Sequence, residues 1–327
     1  MEIKEYQNTI FHIDDESAFN NLCLKVFHYQ YNRIDIYRQF VNTLPIKLES
    51  IEHYSQIPFL PISFFKTHKL ISGKAQSIFY SSGTTALARS KHYVRDLKLY
   101  ENSFFRSFEQ FYGKVEDYCI LALLPSYLEN ENSSLVYMVD KLIEKSKNKE
   151  SGFYLNDIPA LSQKLQILDK QGQKILLLGV SYALLDLIDY QTFDLNNTLV
   201  METGGMKGRR KEMIREELHY KLATGFGLDT IHSEYGMTEL LSQAYSNGNG
   251  IFNCPNWMKI IIRDVNDPFD ILPNGQGGGI NIIDLANIYS VSFIETKDLG
   301  KMESDGNFKI LGRFDDSDIR GCNLLIT

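Results

Sequence analysis

The stretch that decides the fold runs from Ile175 to Ile188 and reads ILLLGVSYALLDLI. It is the most apolar run in the chain, but it is too short to span a bilayer and it carries Asp186. A short apolar run of this kind is typical of a buried strand. We therefore predict a buried strand followed by a helix, and no membrane insertion.

The segments on either side of this stretch alternate in type. Three of them predict further strands: QSIFY, DYCILALLP and NTLVMETGG. Three others have helical patterns: LKLYENSFFRSFEQFYG, NSSLVYMVDKLIEKSKNK and KEMIREELHYKLATGFG. Strands that alternate with helices predict an α/β fold with a largely parallel sheet.

The two ends of the chain depart from this alternation. Residues 1 to about 57 predict helices, and the segment IPFLPISFFKTHKL, with two prolines, predicts an extended connector rather than a helix. From Trp257 onward, strand patterns are separated by the turn signals NDP, PNGQGGG and SDG. We predict an α/β core with a helical N-terminal segment over residues 1–256 and a β-rich subdomain over residues 257–327.

Composition and charge exclude several classes of function. The chain has 327 residues, of which 43% are hydrophobic, so it can bury a substantial core. Its net charge of -7 argues against nucleic-acid binding, which needs a basic surface. The start MEIKEYQNTI has no secretory-signal pattern, and the four cysteines are scattered without a CxxC motif. These features predict a cytoplasmic protein with reduced thiols.

The segment FYSSGTTALARSK, residues 79–91, places hydroxyl groups and a glycine directly after a predicted strand. Backbone N–H groups and hydroxyls in such a loop can bind an anion, and two cations follow. The candidate phosphate-binding residues are Ser81, Ser82, Gly83, Thr84 and Thr85, with Arg89 and Lys91 as the cations. An ordinary surface loop fits the same residues, and the Walker pattern is absent.

Two other segments offer candidate contacts for a nucleotide. In METGGMKGRR, Gly204 and Gly205 let a flat ring lie against the backbone, or they form only a tight turn. In TKDLGKMESDGNFKILGR, Asp298 and Arg313 lie near the ends of the two strands of a predicted hairpin. A carboxylate and a guanidinium can hold a ribose diol, although a solvated hairpin is the simpler interpretation.

The segment SEYGMTEL, residues 233–240, combines four groups that suit a nucleotide site. Tyr235 offers a stacking face and Gly236 removes bulk beside it. Thr238 offers a hydroxyl, and Glu239 offers a hard oxygen ligand for a divalent cation. A helix that starts here with Thr238 as its N-cap explains the same letters.

The tail GRFDDSDIRGCNLLIT contains Cys322 beside Arg320. A nearby cation can activate a thiol as a nucleophile, whereas a lone cysteine is more often a small buried hydrophobe. The other three cysteines, in apolar or turn segments, are interpreted as structural: Cys23, Cys119 and Cys254.

Two histidines lie close to these segments. His219 is in the middle of a predicted helix, and we interpret it as a surface residue. His232 directly precedes SEYGMTEL and is a candidate for lining a pocket there.

Taken in chain order, YSSGTTALARSK, TGG, EYGMTE and TKDLG…DG…LGR resemble the motifs of the adenylate-forming superfamily of acyl ligases. IPFLPISFFKTHKL and IRGCNLL are similar, more narrowly, to the acyl-protein synthetase (LuxE-type) family. The resemblance covers residues 55–327 and implies the large N-terminal domain of an adenylate-forming enzyme. That domain has mixed and parallel sheets flanked by helices and a β-rich C-terminal subdomain, and the small mobile C-terminal domain is expected to be absent.

The resemblance also implies a cofactor set, ATP and Mg²⁺, and a role for each candidate residue. Ser81 to Thr85 would hold the β- and γ-phosphates, assisted by Arg89 or Lys91. Thr238 would meet the α-phosphate and Glu239 would hold Mg²⁺. The adenine and ribose contacts would come from Gly204, Gly205, Tyr235, Gly236, Asp298 and Arg313. Cys322 would take the acyl group as a thioester.

The chain departs from the usual loop motif at Ala86, where a glycine normally follows the two threonines. Three functional hypotheses are open, and Ala86 supports the third of them. The first is an ATP-dependent acyl-protein synthetase that activates a carboxylic acid, with an acyl-CoA-type reductase or an acyl carrier protein as its expected partner. The second is an acyl- or aryl-CoA or carrier-protein ligase of the phenylacetate-ligase type, and the third is a non-catalytic nucleotide-binding subunit.

Overall fold

Helices form the N-terminal part of the chain. The computed structural model describes residues 3–82, 89–124, 132–155, 157–204, 210 and 213–314. Its first helices are α1 (Ile3–Thr9), α2 (Glu16–Arg33) and α3 (Asp35–Asn42). α2 begins at a well-formed cap, because the Asp15 carboxylate accepts a bond from the Ala18 N–H at 2.7 Å. The helical prediction holds to Asn42, after which two short 3-10 turns replace it, Leu48–Ser50 and Tyr54–Gln56.

The proline-containing connector combines a short strand with a short helix. Its strand β1 (Leu60–Pro61) runs parallel to residues 294–295 near the other end of the chain. The predicted absence of helix is wrong for four residues, because α4 (Phe64–Thr67) forms three residues after the second proline, Pro61. A helix can start just beyond a proline, since proline restricts the residues before it more than those after it.

A β-hairpin follows the connector. Its strands are β2 (Ser77–Tyr80) and β3 (Lys91–Val94), and they flank the Ser/Thr/Gly loop. Among the described strands, these two form a sheet of their own, separate from the large sheet.

The middle of the chain forms the parallel sheet that the alternation predicts. Its helices are α5 (Leu97–Tyr112), α6 (Ser134–Ser146), α7 (Ile158–Lys170), α8 (Ser181–Tyr190) and α9 (Arg215–Phe226). Its strands are β4 (Cys119–Leu123), β5 (Gly152–Phe153), β6 (Ile175–Val180), β7 (Thr198–Thr203) and β8 (His232–Tyr235). They lie in the order β5-β4-β6-β7-β8, all parallel. Every residue of β4 and β6 is buried, as expected for parallel strands covered on both faces.

The last part of the described chain continues the same sheet with antiparallel strands. These are β9 (Ala244–Ser246), β10 (Ile251–Asn253), β11 (Met258–Arg263), β12 (Gly277–Asp284), β13 (Phe293–Met302) and β14 (Phe308–Arg313). The full order is β11-β12-β13-β14-β10-β9-β8-β7-β6-β4-β5, with β1 beside β13. The predicted α/β class with a β-rich final part is confirmed, while the division at residue 256 stays a prediction.

The N-terminal helices are joined to this final part by a buried side chain. The Gln30 amide of α2 donates to the carbonyls of Asn287 and Ile288 at 3.2 Å and to the Ser292 hydroxyl at 2.9 Å. Its oxygen accepts from the Ser292 N–H at 3.1 Å. In the described part of the chain, no helix is both long and apolar enough to cross a bilayer.

Candidate active site

The hairpin of β2 and β3 closes the base of the Ser/Thr/Gly loop. The Ser81 hydroxyl accepts a bond from the Ser90 N–H at 2.9 Å, and the Ser81 N–H donates to the Ser90 carbonyl at 3.1 Å. Lys91 lies opposite Tyr80 in the hairpin, and both Arg89 and Lys91 are half-buried. Ser82 is exposed. Six loop positions, 83–88, lie outside the described residues, among them the candidates Gly83, Thr84 and Thr85.

The segment after β8 is a turn, not the helix that the alternative interpretation proposed. The Leu240 N–H donates to the Met237 carbonyl at 3.1 Å, and a buried carboxylate fixes the residues that follow. Asp284 accepts bonds from the N–H groups of Leu241 at 2.7 Å and Ser242 at 3.0 Å. It also accepts from the Ser242 hydroxyl at 2.6 Å. This carboxylate therefore sets where Thr238 and Glu239 emerge from the sheet.

Glu239 links this turn to the loop base. Its side chain is only 5% exposed and is hydrogen-bonded to the Ser90 hydroxyl. Burial raises the pKa of the Glu239 carboxyl, whereas the Ser90 bond and the positive charge of Arg313 lower it. The negative charge of Asp298 also raises this pKa, so Asp298 and Arg313 are within electrostatic reach of Glu239.

The ribose candidates come from two strands that are paired directly. Asp298 on β13 lies opposite Arg313 on β14, with 3.7 Å between Asp298 Oδ1 and Arg313 Nε. The Tyr235 hydroxyl donates to Asp298 Oδ2 at 2.7 Å. Burial raises the pKa of Asp298, and the Tyr235 bond and the Arg313 charge act in the opposite direction. The Arg313 side chain is 70% exposed, so the guanidinium can reach a ligand from the solvent side.

The glycine candidates lie at the ends of β7 and β8. Thr203 pairs with Glu234, so Gly204 and Tyr235 leave neighbouring strands at the same level. The Gly204 carbonyl accepts a bond from the Ser181 hydroxyl at 3.0 Å, and Gly205 lies outside the described residues. A Cβ on Gly236 would lie 2.4 Å from Glu234 Oε1, so a larger residue would displace that carboxyl.

The structure therefore brings five of the candidates into one region through direct contacts or shared charge: Ser81, Tyr235, Glu239, Asp298 and Arg313. The loop base reaches Glu239 through Ser90, and Glu239 is within reach of the pair Asp298 and Arg313. Tyr235 holds Asp298 in turn. The proposed role of each residue in this region stays a prediction.

The cysteines divide into one candidate outside the described residues and three structural ones inside them. Cys322 lies in the range 315–327, which the structure does not describe. Cys23 and Cys119 are buried and Cys254 is half-buried, and all three are free. Burial raises the pKa of the thiol in Cys23, Cys119 and Cys254, which disfavours the reactive thiolate.

The surface interpretation of His219 is wrong. Its side chain is only 13% exposed and turns toward the sheet, with Nε2 3.5 Å from Glu202 Oε1 and 3.3 Å from Ser233 Oγ. The contacts with Glu202 and Ser233 use the same nitrogen, so the three residues cannot form a serine–histidine–acid relay, which needs both ring nitrogens. Arg215 completes the group, with Nη1 3.0 Å from Glu202 Oε1.

His232 does not share a face with Tyr235. It is three residues earlier on β8, and alternate strand residues point to opposite faces. Its Nδ1 lies 3.3 Å from the Tyr112 hydroxyl, and burial lowers its pKa.

Sequence reasoning missed the residues that join the segments. They are Ser90, His92, Asp284 and Asn287, all buried and all hydrogen-bonded to the loop or to the turn after β8. Asp284 and Asn287 stand in INIIDLANIYS, where an acid and an amide interrupt an apolar run. Such polar residues must find buried partners, and this was a usable signal. No pattern in the sequence marks His92.

The residues present fit a magnesium ion that is bound mainly by nucleotide phosphates. Mg²⁺ is usually held by one or two carboxylates together with phosphates and water, rather than by a full protein cage. Glu239 supplies one carboxylate beside the loop base. Within the described ranges, no cluster of three or more His, Cys, Asp or Glu residues could hold a metal without such a ligand.

Comparison with solved structures defines the class of protein. ATP-bound MatB from Rhodopseudomonas palustris matches with a TM-score of 0.54 and 19% identity, over 74% of this chain and 49% of that one. 2-Hydroxyisobutyryl-CoA ligase in the postadenylation state with 2-HIB-AMP matches with a TM-score of 0.64 and 12% identity, over 92% of this chain and 68% of that one. This chain thus spans about half the length of the MatB structures it matches. The fold is that of the adenylate-forming ligases.

The family is narrower than the fold class. The family described as "Acyl-protein synthetase, LuxE" matches residues 10–327, nearly the whole chain. The chain belongs to the LuxE acyl-protein synthetase family, and the resemblance inferred from the sequence is confirmed. A search of curated proteins finds no match.

Proposed function

We propose that this protein activates a carboxylic acid with ATP, forming an acyl-adenylate and pyrophosphate, and then passes the acyl group to a thiol. The observation that carries the proposal is the contact between Ser90 at the loop base and Glu239, which lies within electrostatic reach of Asp298 and Arg313. Family membership and the fold of ATP-bound ligases support the same reaction class.

In the first step, an oxygen of the substrate carboxylate forms a bond to the α-phosphorus of ATP. The bond from that phosphorus to the oxygen that bridges it to the β-phosphorus breaks, and pyrophosphate leaves with the electron pair. Ser81, Ser82 and the hydroxyls of the loop hold the β- and γ-phosphates, while Arg89 and Lys91 reduce the repulsion between the two anions. The attacking carboxylate needs no base, because it is already ionised at neutral pH.

The nucleoside is held from the other side of the site. Asp298 accepts bonds from the ribose diol, Arg313 reinforces the same edge, and Tyr235 with Gly204 and the neighbouring glycines borders the adenine. Thr238 contacts the α-phosphate. When bound at Glu239, Mg²⁺ supplies charge neutralisation at the phosphates.

In the second step, a thiolate attacks the acyl carbonyl carbon, a thioester bond forms and AMP leaves, while the thiol proton goes to solvent. We propose Cys322 as this thiol and a fatty acid as the substrate, with an acyl-CoA-type reductase or an acyl carrier protein as the partner that receives the acyl group. The arguments are the family's name and the raised pKa of the other three thiols, which makes them poor nucleophiles.

ATP–pyrophosphate exchange across a panel of fatty and aryl acids tests the first step. Acid-dependent exchange is expected, with one class of acid preferred. ATP binding without exchange for any acid would instead favour the non-catalytic nucleotide-binding subunit and overturn the proposal.

Acyl labelling of the protein tests the second step. Labelled acid with ATP should give a protein-bound acyl group that hydroxylamine releases, and Cys322→Ala should abolish it without reducing exchange. Cys254→Ala is the matched control and should keep the label. Full thioester formation on added coenzyme A or carrier protein by Cys322→Ala would favour the phenylacetate-ligase type.

A further inference from the structure

His92 is a buried side chain on the strand that leaves the Ser/Thr/Gly loop, and the proposed reaction gives it no role. It lies on β3, two residues after Ser90, and is 1% exposed. The hairpin of β2 and β3 is not hydrogen-bonded into the large sheet as a strand. Side chains therefore contribute to the placement of the hairpin relative to the turn after β8, and His92 is one of them.

The contacts of His92 are with the backbone turn that carries Thr238 and Glu239. Its Nδ1 lies 2.8 Å from the Thr238 carbonyl oxygen, and its Nε2 lies 3.0 Å from Asn287 Oδ1. The Asn287 amide nitrogen donates to the Glu239 carbonyl at 2.8 Å and to the Val291 carbonyl at 2.9 Å. Two consecutive carbonyls of the turn are thus held by two neighbouring side chains, His92 and Asn287.

The donor assignment follows from these partners. A carbonyl can only accept, so His92 carries a proton on Nδ1 and donates it to Thr238. The amide nitrogen of Asn287 is used by two carbonyls, so its oxygen faces Nε2. Burial lowers the pKa of His92 to about 4, which keeps the ring neutral and leaves Nε2 without a proton. The neutral ring has a single proton, and we place it on Nδ1, where the contact is shorter. The approach of Nε2 to Asn287 Oδ1 is then a packing contact and not a hydrogen bond.

We propose that His92 is a positioning residue for the nucleotide site, which fixes the backbone of Thr238 and Glu239 relative to the base of the Ser/Thr/Gly loop through its Nδ1–H. The inference rests on the proposed function, because the positioned groups are those assigned to the α-phosphate and to Mg²⁺. A shift of the turn would displace both groups together, while leaving the ribose contacts at Asp298 unchanged.

Three substitutions of His92, to asparagine, glutamine and leucine, distinguish the role of the Nδ1–H bond from that of the rest of the ring. An asparagine amide can place a donor where Nδ1 lies, a glutamine amide reaches toward the position of Nε2, and leucine has no donor. Tyr93→Leu is the matched control, because Tyr93 is the neighbouring residue on β3 and points to the other face of the hairpin.

The kinetics of pyrophosphate exchange and calorimetric titration with ATP test the proposal. For His92→Leu and His92→Gln, we expect kcat of pyrophosphate exchange to fall about tenfold or more, with KM for ATP changed by less than about threefold. His92→Asn should restore kcat to within about threefold of the parent protein. A purely structural role would lower the free energy of unfolding in all three variants without this split, and equal kinetics for His92→Asn and His92→Gln would overturn the proposal.

A second measurement does not depend on activity. In protein with ¹⁵N-labelled histidine rings, the signals lost in His92→Asn identify the ring, and their shifts report which nitrogen is protonated. We expect Nδ1–H, and a ring protonated at Nε2 alone would overturn the proposal. If no acid supports exchange, the proposed function fails while this test of the bond from Nδ1 to Thr238 still stands.

Discussion

Asp298, the proposed ribose acceptor, is held by Tyr235 on one side and lies opposite Arg313 on the other. Asp298→Asn keeps the size of the side chain but loses the charge and one of the two strong acceptors. A hydrogen bond to a charged group is worth about 1.5–3 kcal/mol, so the Kd for ATP should rise about tenfold or more in a calorimetric titration.

The control for this prediction is Asp229→Asn, which alters an exposed carboxylate after α9 and should leave the Kd unchanged. Tyr235→Phe should have a smaller effect than Asp298→Asn, because it removes only the bond that orients the carboxylate. An unchanged ATP affinity in Asp298→Asn would contradict the ribose assignment.

Glu234 is a buried carboxyl whose protonation should make stability depend on pH. Burial raises its pKa from 4.5 to about 7, with the charge of Glu202 acting in the same direction, while the Thr203 hydroxyl at 2.5 Å opposes the shift. The folded protein therefore keeps a proton that the unfolded chain releases between pH 4.5 and 7. The contribution of this bound proton to the free energy of unfolding is complete below pH 4.5 and is lost as pH rises through 7.

Glu234→Gln removes this ionisation without removing the acceptor for Thr203. Relative to the parent protein, the variant should gain on the order of 3 kcal/mol in free energy of unfolding between about pH 4.5 and pH 8.5. Urea unfolding at both pH values measures it. Glu49→Gln, at an exposed position, should show no such gain, and parallel curves for Glu234→Gln and the parent protein would argue against a proton on Glu234.

At this scale, the sequence reveals the candidate site residues better than the residues that hold them. Asp298, Tyr235 and Glu239 stand in motifs with recognisable chemistry, so they could be named as candidates. His92 and Ser90 act through partners that are distant in sequence, at Thr238 and Glu239. Their importance depends on tertiary contacts that no local pattern encodes.

Among the elements, the packing of α9 on α8 depends on a glycine. A Cβ on Gly225 would lie 2.7 Å from Cβ of Ile188, closer than two such atoms can approach. Alanine normally stabilises a helix by about 1 kcal/mol over glycine, but overpacking costs about 1–3 kcal/mol and should exceed that gain. Gly225→Ala should therefore lower the free energy of unfolding in urea titration.

Thr224→Ala is the control, because Thr224 is the preceding residue of the same helix and is exposed. It should be neutral or slightly stabilising, since alanine has the higher helix propensity. A stabilised Gly225→Ala variant would show that α8 and α9 can separate without cost.

The elements themselves were largely predictable where one pattern dominates. β4, β6 and β7 follow from short apolar runs, and α5 ends at Gly113, whose φ of 82° suits a glycine. The short helix Phe64–Thr67 could not be predicted, because four residues give no periodicity. The end of α3 at Asn42 could not be predicted either, because apolar residues continue beyond it while the helix does not.

For the molecule as a whole, Gln30 couples the N-terminal helices to the segment that precedes β13. Gln30→Met would leave the Ser292 N–H and the carbonyls of Asn287 and Ile288 without this partner, in a buried place. A loss of roughly 3 kcal/mol in free energy of unfolding is expected, since unsatisfied buried groups cost about 1–3 kcal/mol each.

Urea unfolding checks this value, and a single shared transition by fluorescence and circular dichroism would show that α2 unfolds with the sheet. Asn21→Ala, on the exposed side of α2, is the control and should change stability little. An early transition that involves only helix signal in the parent protein would contradict the coupling.

The strand order of the whole molecule lay beyond prediction from one sequence. Local patterns assign β7 and β13 as strands, but pairing across long separations, such as β1 beside β13, depends on contacts among all the elements. The convergence of the loop, the turn after β8 and the β13–β14 hairpin was expected only because their motifs occur in one order.

The separate hairpin of β2 and β3 has a consequence for local unfolding of the molecule. A two-stranded ribbon is marginally stable by itself, so its local opening should cost less than disruption of the parallel strands. In deuterium-exchange mass spectrometry, peptides that cover residues 77–80 and 91–94 should take up label sooner than those covering residues 175–180, and ATP should slow them selectively. Equal uptake in both regions would mean that the hairpin opens only when the entire protein unfolds.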